Sequence, residues 1–256
     1  MSSLNLINTY SSDSDEADEN NKSLPLPDSI LKWQGVVHHT TIIDDPSQHG
    51  GRIRTFKHER GNWATLIYTN FFWKISDVPS VFMQTWIETI GNQLSITGNT
   101  CFEQFHISFT RTLILKYHWI ESFVDSLKKL CDKMSQFTLK ILDFKLYCNE
   151  EKSRTFLGLE CYNRDGILDQ FVLALNNLLT EYNLPAFYEE ASYHISLLWF
   201  LGDEKENLKR LIPPLTTKLN EFLTEYPEES YIHVDRIECK IGNKIYNFPL
   251  RSDHLK

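Results

Sequence analysis

Two short strings, Phe105-His106-Ile107-Ser108 and Tyr193-His194-Ile195-Ser196, repeat one pattern 88 positions apart. A strand alternates its side chains, so in each string the His and Ser share one face while the aromatic and the Ile share the other. Each strand can therefore bury one face and present an imidazole and a hydroxyl on the opposite one. Two such strands brought together set two proton-transfer groups and two hydroxyl donors around one point. That arrangement suits a phosphodiester. Cleaving RNA without a metal requires a base to take the proton of a ribose 2′-hydroxyl and an acid to protonate the departing 5′-oxygen, and histidine can perform either role near neutral pH. Ser108 and Ser196 would donate hydrogen bonds to the non-bridging oxygens, where negative charge builds in the transition state. The immediate product of such an attack is a 2′,3′-cyclic phosphate.

Spacing alone does not decide the matter. His38-His39-Thr40 is a near match with no partner, and a strand histidine can equally be a satisfied structural side chain. The context sets the pair apart, because both strings lie in strand-like runs, 104–110 and 193–200, with the same flanking residues.

The elements around the strings recur in order. Trp63 to Thr69 reads as a strand, and Asp77-Val78-Pro79 opens a helix in which Phe82, Trp86, Ile90 and Leu94 recur every four residues. The first motif strand follows, then a helix over about 117–134 with Trp119, Phe123, Leu127, Leu130 and Met134 on one stripe. Strands are expected at Leu139–Tyr147 and Arg154–Glu160, joined by the turn Asn149-Glu150-Glu151-Lys152. A helix over about 167–182, with Leu168, Phe171, Leu175, Leu178 and Tyr182 inward, precedes the second motif strand. Asp203 with Glu206 resembles a capping box, and Pro213-Pro214 is expected to kink or interrupt the helix that follows. A hairpin, Tyr231–Lys240 and Lys244–Phe248 around Gly242-Asn243, ends the pattern. The fold class expected is α+β: two pseudo-symmetric lobes of antiparallel sheet with outer helices, one H-x-S strand per lobe facing a central cleft.

The chain has 256 residues, 41% hydrophobic, enough for a substantial core. Residues 1–32 read as a disordered acidic tail and 33–256 as one bilobal domain. Residues 1–30 hold six acidic side chains and one Lys, so they carry −5 of the formal −8 and leave the rest nearly neutral. Any RNA contact must therefore be local rather than a broad basic face. Five cysteines with no C-x-x-C pair point to reduced thiols inside the cell. No signal peptide, bilayer-length apolar run, zinc-ligand spacing or phosphate-binding glycine loop is found, so no cofactor and no membrane are expected.

The paired strings resemble the 2H phosphoesterase superfamily. The run His49-Gly50-Gly51-Arg52-Ile53-Arg54-Thr55-Phe56-Lys57-His58-Glu59-Arg60-Gly61-Asn62-Trp63-Ala64-Thr65 is more specific and resembles the U6 small nuclear RNA phosphodiesterase family. So do the run Glu151-Lys152-Ser153-Arg154-Thr155-Phe156-Leu157-Gly158-Leu159-Glu160, Phe187-Tyr188 and Gly242-Asn243-Lys244, over roughly residues 49–250. The resemblance implies a nuclear, metal-independent 3′-to-5′ exoribonuclease that trims the terminal oligo(U) or oligo(A) of U6 snRNA. It implies His106 as proton acceptor, His194 as proton donor, and Ser108 and Ser196 as phosphate holders. It further implies a single-stranded RNA 3′ end as partner, with no DNA and a monomeric protein. Tyr188 falls at an aromatic position against which the terminal base stacks, and Ser192 within a nucleotide-contacting stretch. Glu150 departs from the family pattern, where a glutamine often stands; a carboxylate only accepts hydrogen bonds, which puts uridine preference in doubt. Ala191 stands where a proline can occur. The basic residues Arg52, Arg54, Lys57 and Arg60 read as a crossover paired with carboxylates rather than as an RNA contact.

Two other readings compete. The same four residues would serve a relative that opens 2′,3′-cyclic phosphates or cuts 2′-5′ linkages. A non-catalytic RNA-binding protein is the third, and two intact H-x-S strings count against it.

Overall fold

The computed structural model describes residues 59–71, 85–86, 88–89, 91–92, 100–101, 105–163, 165–188 and 192–252, together with Asp28 and Phe56. Apart from Asp28 the acidic tail lies outside the described residues, as do the tail's junction, His38-His39-Thr40, Ala191 and all of 49–58 but Phe56. Of the helix expected from Asp77, positions 85–86, 88–89 and 91–92 are described and helical.

Ten strands form one sheet: β1 (Asn62–Phe71), β2 (Thr100–Cys101), β3 (Phe105–Ser108), β4 (Leu113–Lys116), β5 (Phe137–Cys148), β6 (Arg154–Asn163), β7 (His194–Leu201), β8 (Tyr231–Val234), β9 (Arg236–Ile241) and β10 (Lys244–Pro249). Their order is β10-β9-β1-β3-β7-β6-β5-β8, with β2 beside β7 and β4 beside β1, and each of these pairings is antiparallel. Four strands thus lie on either side of the β3–β7 junction, which is the expected pair of lobes joined edge to edge. The two ends of the sheet are linked through the chain itself. β8 and β9 are separated in sequence by Asp235 alone, yet they belong to opposite halves. The sheet must therefore curl back on itself, and Arg251 beyond β10 meets Ser135 just before β5 in a parallel bridge.

Three helices of twelve or more residues pack on the sheet among the described residues, α1 (Ile120–Cys131), α2 (Ile167–Glu181) and α3 (Ile212–Glu225). Each is amphipathic at helical spacing. Phe123 and Leu127 of α1, Leu168, Phe171 and Leu175 of α2, and Leu215 and Leu219 of α3 are fully buried, in one cluster with Ile67, Ile107, Leu139, Leu159 and Ile195 of the sheet. Phe109, just past the first motif, meets Phe137, Phe171 and Tyr193 edge-on and ties the two halves to α2. Thr155 fastens the β7 exit: its hydroxyl donates to the Gly202 carbonyl at 2.8 Å and accepts from the Glu204 amide at 2.8 Å.

Three local expectations are corrected. The stretch expected as strand over 231–240 breaks at Asp235, because its halves pair with β5 and with β1. The Asp203–Glu206 box does not form, since the short helix Lys205–Leu208 has Glu204 as its N-cap with no side-chain cap bond. Leu113–Lys116 is a strand that was not expected, recruited by pairing with β1 ahead of the helical turn Tyr117–Trp119. Pro213-Pro214 interrupts the helical run as expected: the helix from Lys205 ends at Leu208, tightens into a 3-10 turn over Lys209–Leu211, and restarts as α3 with the prolines in its first turn, where a missing N–H costs nothing.

Candidate active site

The two motif strands are direct neighbours at the middle of the sheet, with Ile107 opposite Ile195. Both isoleucines are fully buried. In antiparallel register, one step either way sets His106 opposite Ser196 and Ser108 opposite His194. The four polar side chains consequently stand on the face turned away from the core, related by a local two-fold axis through the isoleucine pair. The alternation that suggested an acid and a base on one face is what the sheet carries.

Each histidine has an aromatic neighbour and a lysine near it, but the two environments differ. Tyr68 of β1, opposite Ser108, meets the His106 ring edge-on at 5.3 Å. Burial is the main cause that holds His106 below the ordinary histidine range, and the His194 and Lys240 charges add to it. Burial and the Glu238 carboxylate push the Tyr68 hydroxyl up to about 12, so it stays protonated. Glu238 is itself held by the Asn70 amide, which donates to it at 2.6 Å.

His194 is more tightly built in. Its Nδ1 lies 2.8 Å from the Ser192 carbonyl, an acceptor only, so Nδ1 carries the proton and Nε2 is left for chemistry. The Tyr147 ring stacks on the imidazole with centroids 3.7 Å apart and planes 14° from parallel. Through β6, Tyr147 pairs with Phe156 and so with Trp199, well along β7 from His194. Its stacking on His194 shows that the sheet folds toward the histidine face. Burial lowers the His194 pKa most; the bond to Ser192 and the Glu160 carboxylate raise it, and Lys145 lowers it.

The remaining expected residues divide. Tyr188 is 41% exposed and carries the Arg111 guanidinium over its ring at 4.2 Å. Glu150, in the β5–β6 turn, pairs with Arg111 at 3.0 Å. Tyr188 and Glu150 are thus joined through an arginine that sequence reasoning missed, although it stands only three positions beyond Ser108. Among the described residues Arg111 Nε is buried and has no acceptor. Ser192 is at the site, but its single hydroxyl proton goes to Glu160 at 3.1 Å. Gly158 of β6 was also missed as a site residue. It faces Ser196, and a Cβ there would lie 2.7 Å from the Ile195 carbonyl oxygen and 3.4 Å from His194 Cδ2. A glycine inside a strand is the sequence signal for such a close approach.

Comparison with known proteins gives this geometry its family. A family model described as HVSL, an uncharacterised conserved protein, matches residues 24–249. The chain is 33% identical over 256 residues to U6 snRNA phosphodiesterase 1 of Xenopus laevis, covering 96% of this chain and 99% of that one. It is 32% identical to U6 snRNA phosphodiesterase 1 of Homo sapiens, covering 89% of this chain and 84% of the relative. Among solved structures, Usb1 of Kluyveromyces marxianus with uridine monophosphate superposes with a TM-score of 0.56 at 10% identity, over 73% of this chain and 98% of that one. At that identity the likeness is one of fold. The relatives a third identical along nearly their whole length carry more, and by them the chain belongs to the U6 snRNA phosphodiesterase family.

Proposed function

We propose that this protein is a 3′-to-5′ RNA phosphodiesterase that trims the single-stranded 3′ end of U6 snRNA in the nucleus, as a monomer and by side-chain proton transfer alone. The observation that carries the reading is the pairing of Ile107 with Ile195, which sets both His-Ile-Ser strings side by side on one face. The family membership supplies the RNA substrate, since the relatives are named for U6 snRNA.

In this reading His106 takes the 2′-hydroxyl proton of the penultimate ribose. The freed oxygen forms a bond to the adjacent phosphorus, the bond from phosphorus to the 5′-oxygen breaks, and His194 Nε2–H protonates that oxygen. A terminal nucleoside leaves with a 5′-hydroxyl, and the shortened RNA ends in a 2′,3′-cyclic phosphate. Ser108 and Ser196 hold the non-bridging oxygens from either side. The unequal surroundings support this division of labour. Glu160 and the Ser192 carbonyl favour a protonated His194, whereas His194 and Lys240 favour a neutral His106.

Tyr188 offers its ring to the terminal base, an interaction worth about 1–3 kcal/mol by truncation. A uracil edge asks for donors as well as an acceptor. Glu150 only accepts, and Arg111 beside it provides the donors, so the pair does together what a single glutamine amide would do.

The test is purified protein with an RNA ending in oligo(U), in excess chelator. Shortening from the 3′ end one nucleotide at a time is expected, and an inert RNA overturns the proposal. The pH dependence of kcat/KM has a predictable centre. Both histidines are held below the ordinary value of about 6.5, so the bell defined by one neutral and one protonated ring centres below about 6.5. Folding stability follows the same sign. Protonating either buried ring opposes burial, so stability is full above about pH 6.5 and declines as pH falls below it.

A further inference from the structure

We propose that Tyr147, Ser192 and Glu160 form a positioning shell that fixes the ring of His194 with Nε2 toward the cleft. The proposal deepens the reading above by naming what holds its proton donor in place.

The shell is a directed chain of hydrogen bonds. Ser192 has one hydroxyl proton and gives it to Glu160 Oε1 at 3.1 Å. In the 3.3 Å contact between Tyr147 Oη and Ser192 Oγ, the tyrosine must therefore be the donor. Glu160 is closed off on its other side by Lys145, whose ammonium donates to the same oxygen. The chain runs from the Tyr147 O–H through the Ser192 O–H to the Glu160 carboxylate, with Lys145 as counter-ion. Burial keeps the Tyr147 hydroxyl protonated, since it raises that pKa well above the ordinary value.

His194 is gripped at two places by these groups and faces the third. The Ser192 carbonyl accepts from Nδ1, and the Tyr147 ring covers one face of the imidazole. Glu160 lies opposite His194 in the β6–β7 register. Rotating the imidazole by a half-turn would break the Nδ1 bond. It would also present a C–H where the leaving oxygen needs a proton. His106 has the edge-on contact with Tyr68 and the His194 and Lys240 charges nearby, with no hydrogen bond to a ring nitrogen among the described residues. The shell is thus a property of one half of a nearly symmetric site. It falls on the histidine that must be a donor in one orientation.

The titratable and charged groups facing the His194 ring are Lys145 and Tyr147 from β5, Glu160 from β6 and His106 from β3. Replacing Glu160 removes the anion and leaves the Lys145 charge unmatched. Both changes disfavour the imidazolium.

Three variants and two readouts test the proposal: pH profiles of RNA trimming, and ring nitrogen NMR shifts of His194 in the free protein. Glu160→Gln keeps the size and moves the basic limb of kcat/KM about 1 pH unit lower. Tyr147→Leu lowers kcat by about 10- to 100-fold with KM within about 2-fold, as expected when a reacting group is misaligned while substrate binding is kept. Tyr147→Phe keeps the stacked ring and restores most of that loss. In the wild type the neutral ring shows the Nδ1–H form alone, and Tyr147→Leu shows both tautomers. An unmoved basic limb in Glu160→Gln, or a single tautomer in Tyr147→Leu, overturns the shell. The NMR readout needs no catalysis, so inert wild-type protein with a fixed Nδ1–H ring would refute the proposed activity and leave the shell standing.

Discussion

Replacing either His106 or His194 by alanine is expected to lower kcat/KM for RNA trimming by about 10²- to 10⁴-fold. The double replacement should cost little more than the worse single one, because a proton taken on one side of phosphorus is of use only if one is given on the other. The structure makes this a clean experiment. Both rings lie on the face turned from the core, and the residues that hold the strands together there, Ile107 and Ile195, are untouched. At neutral pH both rings are held neutral, so removing them relieves no buried charge; His106→Ala should melt close to the wild type and His194→Ala somewhat earlier, because it gives up the Ser192 bond and the Tyr147 stack. The check is kcat/KM beside a thermal melt. Near-normal trimming by either well-folded single variant would remove that histidine from the chemistry.

The second large effect is expected at a residue with no side chain of its own, Gly158, which packs against the strand that bears His194 and Ser196. Adding one methyl puts a carbon 2.7 Å from the Ile195 carbonyl oxygen, closer than atoms approach without one of them moving. That oxygen belongs to the backbone of β7, between His194 and Ser196, so relief requires shifting the strand that bears both. Overpacking of this kind costs about 1–3 kcal/mol of stability. A displacement of about 1 Å at the reacting groups costs on the order of 10²-fold in rate. Gly158→Ala should therefore show a lowered melting temperature together with a kcat loss out of proportion to any change in the fraction folded. Full activity in a destabilised but folded Gly158→Ala protein would mean that β7 yields without disturbing the site.

Much of this site was legible as sequence because alternation on a strand is a local property. His106 with Ser108, and His194 with Ser196, had to share a face whatever the strands did next. The strands themselves were marked by β-branched and aromatic runs, and α2 by its stripe of Leu168, Phe171 and Leu175. The pairing that turns two half-sites into one, Ile107 against Ile195, spans a long stretch of chain and leaves no local mark. Asp235 illustrates the same limit. The apolar alternation changes phase between Val234 and Ile237, which marks a break, but nothing in 231–240 tells that one half pairs with β5 and the other with β1. Arg111, Tyr147 and Glu160 are ordinary strand and loop residues in isolation. They acquire meaning only when the sheet folds toward the histidine face and brings the β5–β6 hairpin over His194 and Arg111. Glu150 looked like a lost donor by itself and is half of an ion pair in place.

The most direct test of the central claim uses two RNAs that differ by one atom. Both end in the same oligo(U); one carries a 2′-deoxy sugar on the 5′ side of the terminal phosphodiester. If His106 activates a ribose hydroxyl, the all-ribose RNA loses its terminal nucleoside and gains a 2′,3′-cyclic phosphate end, while the deoxy RNA stays full length. Equal cleavage of the two would contradict the account, because water and not the 2′-oxygen would then be the nucleophile.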